Sequence, residues 1–165
     1  MKDIMGMRNL MLVADLEPLL LMETRGMLSP NTHAFSTLVQ MARHTYDWRP
    51  TAQQIAKHVP CRLYEMGLER IGSFQGYGEL SDEEEIKASM MPPGATQQMK
   101  FKRRKSGKDA AIKDCKFLTE IGLLKMLRPQ RPGRNASYLL LIGSEAENRE
   151  VEDWALECID AGWKR

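Results

Sequence analysis

The hydrophobic pattern predicts two helices in the first third of the chain. Between Ser29 and His44, apolar residues recur every three or four positions, which is the period of one buried helix face, and Ser29 with Pro30 suits the start. Thr51 and Gln54 then form a capping box ahead of a second helix that Pro60 closes. The predicted buried face of this second helix is Ala52, Ile55, Ala56 and Val59.

Before these helices the pattern does not decide between helix and strand. The apolar runs LMLV and LLLM fall within 7–27, and each fits a strand or a short helix. We expect extended segments here. Asp15, Glu17 and Pro18 interrupt the apolar run, so we expect neither a membrane span nor a signal peptide.

The middle of the chain, 60–105, is irregular. CRLYEMGLERIG approaches helical spacing, but Gly67 weakens a helix there. Ser81 and Glu84 form a capping pair that predicts a short helix in SDEEEIKASM, and MPPGATQQ is typical of a loop. We expect the acidic run at 82–85 to be a solvated face or a contact for a partner protein.

The stretch from Lys100 to Ile142 predicts a helix followed by a hairpin with a basic tip. A capping pair, Ser106 with Asp109, places the helix start near Gly107, and helical spacing continues to about Gly122. A turn rich in proline and glycine follows, and then a short apolar run of strand length. The expected inward-facing residues of this helix are Ala111, Cys115, Leu118 and Gly122.

A last helix is predicted after Ser144, which forms a capping pair with Glu147. Its apolar face includes Trp154, which we expect in the core or at a dimer contact. Positions 145–160 hold seven acidic residues and one basic residue. Because this acidic helix would repel DNA, we expect it to lie away from any bound duplex.

Charge is segregated along the sequence. Lys100 to Arg134 contains twelve basic and three acidic residues, a local charge of +9, whereas the whole chain carries +2 and the remainder therefore −7. Such a cationic stretch attracts phosphates with an affinity that falls as salt rises. Within the helix, the candidates for groove and phosphate contacts are Lys108, Lys113 and Lys116.

Composition narrows the class of protein. A length of 165 residues and a hydrophobic content of 42% fit one globular domain. The cysteines are odd in number with no Cys-x-x-Cys pair, so we expect a reduced, cytoplasmic setting. No His spacing suits a metal and no catalytic or phosphate-cradling motif occurs, so we expect no metal, no cofactor and no enzyme activity.

The segments DWRPTAQQIAK, GKDAAIKDCKFLTEIGLLK, RPGR and SYLLL together resemble the winged helix-turn-helix family. More narrowly, they are similar to plasmid and phage regulators and to replication-initiator-type winged helices. The resemblance implies an α+β, mainly α, fold with an insertion between the second and third helices and an extra C-terminal helix. One winged-helix domain would cover 1–165, with an N-terminal extension at 1–28, the insertion at 60–105 and the C-terminal helix at 144–165.

In that family the third helix enters the major groove and the wing touches the backbone or minor groove. Nearly fifty residues separate the second predicted helix from the Gly107 segment, so two assignments are open: either the Gly107–Gly122 segment or the Cys61–Gly72 segment is the recognition helix. The first is favoured because the positive charge lies there. The implied DNA contacts are Lys102, Arg103, Arg104, Lys105, Lys108, Lys113, Lys116, Arg128, Arg131, Arg134 and Asn135.

The resemblance implies a sequence-specific double-stranded DNA-binding protein, acting as a transcriptional regulator or a plasmid or phage replication factor. Members of this class commonly bind as homodimers on palindromic sites. The alternative is a protein-interaction module that binds a host or replication protein through its acidic insert or tail. In neither case do we expect a membrane as partner.

Overall fold

The structure is a computed structural model that describes residues 6–16, 20–24 and 26–164. Within these residues the fold is α+β and mainly helical, as predicted. The helices are α1 (Met7–Leu16), α2 (Thr32–Arg43), α3 (Ala52–Ala56), α4 (Leu68–Gly72), α5 (Asp82–Ser89), α6 (Ala95–Glu120) and α7 (Glu145–Asp160). The strands are β1 (Leu21–Thr24), β2 (Met27–Pro30), β3 (Leu63–Tyr64), β4 (Leu124–Arg128) and β5 (Ser137–Leu140).

A three-stranded antiparallel sheet of order β3-β5-β4 forms the centre of the molecule. The predicted hairpin is confirmed as β4–β5, and its register shifts between Met126 and Arg128. All four residues of β5 are buried, and they alternate between two cores: Tyr138 and Leu140 face one, and Leu139 faces the other. The sheet is therefore covered on both sides.

The two covering layers contain different helices. The larger core joins the Tyr138 side of the sheet to α1, α2, α4 and α6. The smaller core joins the Leu139 side to Val151 and Ala155 of α7, with Trp48 beside them. Helices α6 and α7 thus lie on opposite faces of the sheet.

Segment 60–105 contributes to this framework. It supplies β3, which pairs with β5 through Leu63 and Leu139, and α4, which packs along α6. A π-helical turn, Ser73–Tyr77, continues α4 directly. The capping box of Ser81 is confirmed at the start of α5.

Helix α6 is longer than the sequence predicted. It begins at Ala95 after Gly94, so the predicted start near Gly107 is wrong, as is the loop assigned to ATQQ. The residues before Gly107 are mostly good helix formers, and no proline interrupts them. Gly107 serves packing instead: a Cβ there would lie 2.6 Å from the Tyr77 Cβ and 3.1 Å from the Gly72 Cα.

The N-terminal expectations were partly wrong. LMLV lies in α1 and not in an extended segment, whereas LLLM leads into β1. Ser29 and Pro30 belong to β2, and the cap of α2 is Asn31, whose side chain accepts from the Ala34 N–H at 3.0 Å. Residues 17–19, within the interrupted apolar run, lie outside the described residues.

The capping box of α3 is confirmed, but its predicted buried face is wrong. Thr51 N–H donates to Gln54 Oε1 at 2.7 Å, and Gln54 N–H donates back to Thr51 Oγ1 at 3.3 Å. None of the five residues of α3, all of them described, is buried, and Ile55 is 50% exposed. The helix ends at Ala56 and spans little more than one turn, so it has no long face to bury.

One buried arginine joins three parts of the molecule. Arg62, at the edge of β3, is fully buried and adopts a φ of +53°. Its Nε donates to Asn9 Oδ1 of α1 at 3.0 Å, and its Nη2 pairs with Glu147 of α7. Burial lowers the pKa of Arg62, and the hydrogen bond to Glu147 opposes that shift. Arg62 thereby ties both helices to the sheet.

The predicted C-terminal helix is confirmed as α7, with Ser144 accepting from the Glu147 N–H. Trp154 packs against the smaller core and donates from Nε1 to the Val59 carbonyl at 3.1 Å, which gives it a partner within the chain. Among the helices described, none is long and apolar enough to cross a membrane.

Candidate nucleic-acid interface

Helix α6 has one buried side and one exposed side. Gly107, Ala111 and Leu118 face the core. Asp114 also faces inward, where it accepts from Thr37 Oγ1 at 2.5 Å and pairs with His33 Nδ1 at 2.6 Å. These contacts fix the rotation of α6 against α2, so the identity of its outward-facing residues is determined.

Five residues of α6 share one side of the helix, at successive intervals of four, three, four and four residues. Helical periodicity places residues at these intervals one above another. We call this set the α6 stripe: Phe101, Lys105, Lys108, Ile112 and Lys116. It combines three cations with two exposed apolar side chains.

Part of the α6 stripe borders the same cleft as the β4–β5 hairpin and the segment 64–69, which includes Glu69. The cleft has a volume of about 470 Å³. Lys108 and Ile112 line it from α6, and Met126, Gln130 and Asn135 line it from the hairpin. A helix and a hairpin on the two sides of one open cleft can contact a single extended partner.

The hairpin tip carries two arginines side by side. Arg131 N–H donates to the Arg134 carbonyl at 3.0 Å, and Arg134 N–H donates to the Arg131 carbonyl at 2.9 Å. Residues paired directly in this way project their side chains to the same face of a hairpin. Gly133 closes the turn with a φ of +74°, a conformation that glycine adopts readily. Both guanidinium groups are therefore presented together.

The base of the hairpin is anchored by Glu65. Its carboxylate pairs with Arg128 and accepts from Ser137 Oγ at 2.6 Å and Trp163 Nε1 at 2.8 Å. Its carbonyl accepts from Asn135 Nδ2 at 3.1 Å. Arg128 is thus largely buried in a structural network, while Asn135 keeps its position beside the cleft through Glu65.

In the fold, some cations of the basic stretch form ion pairs with acidic residues from other segments. Arg103 pairs with Glu84 of α5, and Lys108 with Glu69 of α4 at 3.1 Å. In the same way, Lys100 pairs with Glu79 and Lys125 with Glu152. Six of the twelve cations have no acidic partner among residues 6–16, 20–24 and 26–164: Lys102, Arg104, Lys105, Lys113, Arg131 and Arg134.

The structure brings together only part of the predicted contact set. Lys105, Lys108 and Lys116 share the α6 stripe, and the hairpin adds its two tip arginines and Asn135. Lys102 and Lys113 project from the adjacent outward side of α6, whereas Arg104 lies near the line of Gly107 and Ala111 and is exposed. The role of each residue in DNA contact stays a prediction.

Charge could not identify the uncharged members of the interface. Phe101, Ile112 and Met126 are exposed apolar residues next to lysines, and Gln130 lines the cleft beside them. For Ile112, its spacing of four residues from Lys108 and from Lys116 was the available signal. Phe101 could be placed on the same side only with the correct start of α6.

The acidic helix α7 lies across the sheet from α6, and its carboxylates have structural partners. Glu147 pairs with buried Arg62, and Glu152 pairs with Lys125. That α7 stays clear of a bound duplex remains a prediction.

The three cysteines are free and buried. Burial raises the pKa of Cys61 and of Cys115 to about 12, so both thiols are protonated at neutral pH. Within the described part of the chain, no group of three His, Cys, Asp or Glu side chains is placed to hold a metal ion.

Comparisons with models of protein families, with curated proteins and with solved structures find no match to this chain.

Proposed function

We propose that this protein binds double-stranded DNA in a sequence-specific manner as a winged helix-turn-helix protein. Helix α6 would enter the major groove and the β4–β5 hairpin would act as the wing. The observation that carries the proposal is the shared cleft: Lys108 and Ile112 of the α6 stripe border one opening with the hairpin. Cations without an acidic partner among the described residues lie outside this opening on the same two elements: Lys105 on α6, and Arg131 and Arg134 at the hairpin tip.

The order of elements supports a winged-helix interpretation. Helices α2, α4 and α6 pack in one core, β3 pairs with the hairpin, and α6 runs into β4 within four residues. Of the two candidate recognition helices, α6 is the better supported. Helix α4 has only five residues and buries Ile71 and Gly72, whereas α6 exposes a full side along its length.

The dimensions of the interface suit a duplex. Lys105 and Lys116 are eleven residues apart, which is about 16 Å along a helix axis. The major groove of B-DNA is about 12 Å wide and admits one helix. In this arrangement the lysines would contact phosphates, and the paired tip arginines would contact the backbone or a minor groove.

Both cellular roles, transcriptional regulation and phage or plasmid replication, would use the same interface. Each requires the protein to find a particular site on duplex DNA. The cations would provide affinity for DNA of any sequence, and the residues that contact base edges would determine which sequence is bound.

Binding to a random-sequence duplex tests the proposal. Each phosphate contact contributes about 0.9 to the slope of the logarithm of the association constant against the logarithm of the salt concentration. Six free cations therefore predict a slope of about −5. Fluorescence anisotropy between 50 and 200 mM salt measures this slope. Absence of binding at 50 mM salt would contradict the proposal.

A protein-interaction module is the second candidate, and one observation favours it. Helix α5 exposes Ile86 (58%) and the adjoining Met90 (82%) beside Asp82, Glu83 and Glu85. An exposed apolar pair next to carboxylates is suited to a basic protein surface. The anisotropy experiment separates the two candidates, because this one predicts no duplex binding.

A further inference from the structure

We propose that the DNA site of this protein contains thymine at the centre of the α6 contact, recognised through the thymine methyl group by Ile112 together with Met126. The inference rests on the proposed function and adds which base the interface selects.

Ile112 occupies the middle of the α6 stripe. Lys108 precedes it by four residues and Lys116 follows it by four, so cations flank it along the helix. Its side chain is 47% exposed although it is apolar. Met126 of β4, which is 48% exposed, lines the same cleft. The helix and the hairpin together therefore expose an apolar patch beside Lys108, whose amine pairs with Glu69 of the same cleft.

Charge identifies what covers this patch. Lys105 and Lys116 are exposed on the α6 stripe and attract an anionic partner, and the hairpin that borders the cleft carries Arg131 and Arg134 at its tip. On a duplex, these cations meet phosphates at the two borders of the groove. Ile112, lying between them, then faces the base edges.

Among the groups that base pairs present in the major groove, the apolar one is the C5-methyl of thymine. The other groups there are hydrogen-bond donors and acceptors, which an isoleucine side chain would desolvate without replacing their partners. Ile112 consequently favours thymine and disfavours the polar edges of the other bases.

Uracil substitution tests the inference, because uracil pairs as thymine does but lacks the methyl group. The preferred duplex is first selected from a random pool, and each of its thymines is then replaced in turn by deoxyuridine. We expect the replacement opposite Ile112 to weaken binding by about fourfold, the equivalent of one buried methyl group. In Ile112→Ser, the thymine and uracil duplexes should bind equally.

The matched control is Ile86→Ser, which alters another exposed isoleucine, on α5, and should retain the fourfold preference. Equal binding of thymine and uracil duplexes by the unsubstituted protein would overturn the inference while leaving DNA binding intact. A preference that persists in Ile112→Ser would overturn it as well. Failure to bind any duplex would instead overturn the proposed function.

Discussion

Replacing Arg62 with methionine is expected to lower the free energy of unfolding by about 3 kcal/mol, because it removes the fully buried partner of an ion pair and leaves Glu147 with Arg8 alone of its two arginines. Glu147 would lose its strongest partner, and Asn9 Oδ1 would lose the donor that now lies 3.0 Å away. Methionine fills a similar volume, so the loss reports mainly on the polar contacts.

Urea denaturation followed by tryptophan fluorescence measures this change. Arg49→Met is the matched control, since Arg49 pairs with Glu150 at 3.5 Å with both side chains mostly exposed. Exposed pairs of this kind contribute at most about 1 kcal/mol. If Arg62→Met were no more destabilising than this control, Arg62 would not be the link between α1, the sheet and α7.

Changing Arg131 and Arg134 together to alanine is expected to flatten the salt dependence of DNA binding by about two units of slope, since each lost phosphate contact removes about 0.9. Both arginines are exposed and have no acidic partner among the described residues. The variant should therefore fold normally, and its circular dichroism spectrum should be unchanged.

A double variant elsewhere controls for net charge. Arg49→Ala with Arg149→Ala removes the same charge from residues that pair with Glu150 and Glu145. Its slope should equal that of the unsubstituted protein. An unchanged slope in the Arg131 and Arg134 variant would exclude the hairpin tip from the contact.

Local signals in the sequence predicted local structure well. The capping boxes at Thr51 and Ser81 occur as expected, because each depends on residues within one helical turn. The hairpin also follows from local features, since a turn with Pro132 and Gly133 separates two apolar runs. These parts needed no knowledge of the tertiary fold.

The wrong predictions, the start of α6 and the buried face of α3, concern features that depend on residues distant in the sequence. Gly107 suggested a helix start, yet it lies inside α6, where Gly72 and Tyr77 approach its backbone so closely that a Cβ would clash. The predicted buried face of α3 is exposed. Whether another element covers a short helix depends on the tertiary fold, which the sequence of that helix does not reveal.

The positive charge of the candidate interface could be predicted from the sequence. Which cations are free of ion pairs, and which apolar residues lie beside them, could not. Net charge located the cations, but long-range pairing decides which of them are free. Arg128 meets Glu65, which is 63 positions away, and Arg103 meets Glu84 through the packing of α5 on α6. The apolar part of the interface, centred on Ile112, carries no charge signal at all.

Lysine footprinting tests the central claim most directly, because it reports which face of the protein meets DNA. Acetylation of the amines with and without a saturating duplex, followed by mass spectrometry, compares all lysines in one experiment. The account predicts that DNA protects Lys105, Lys108 and Lys116, while exposed Lys57 and Lys87 on other elements stay reactive. Protection of Lys57 and Lys87 with no protection along α6 would contradict it.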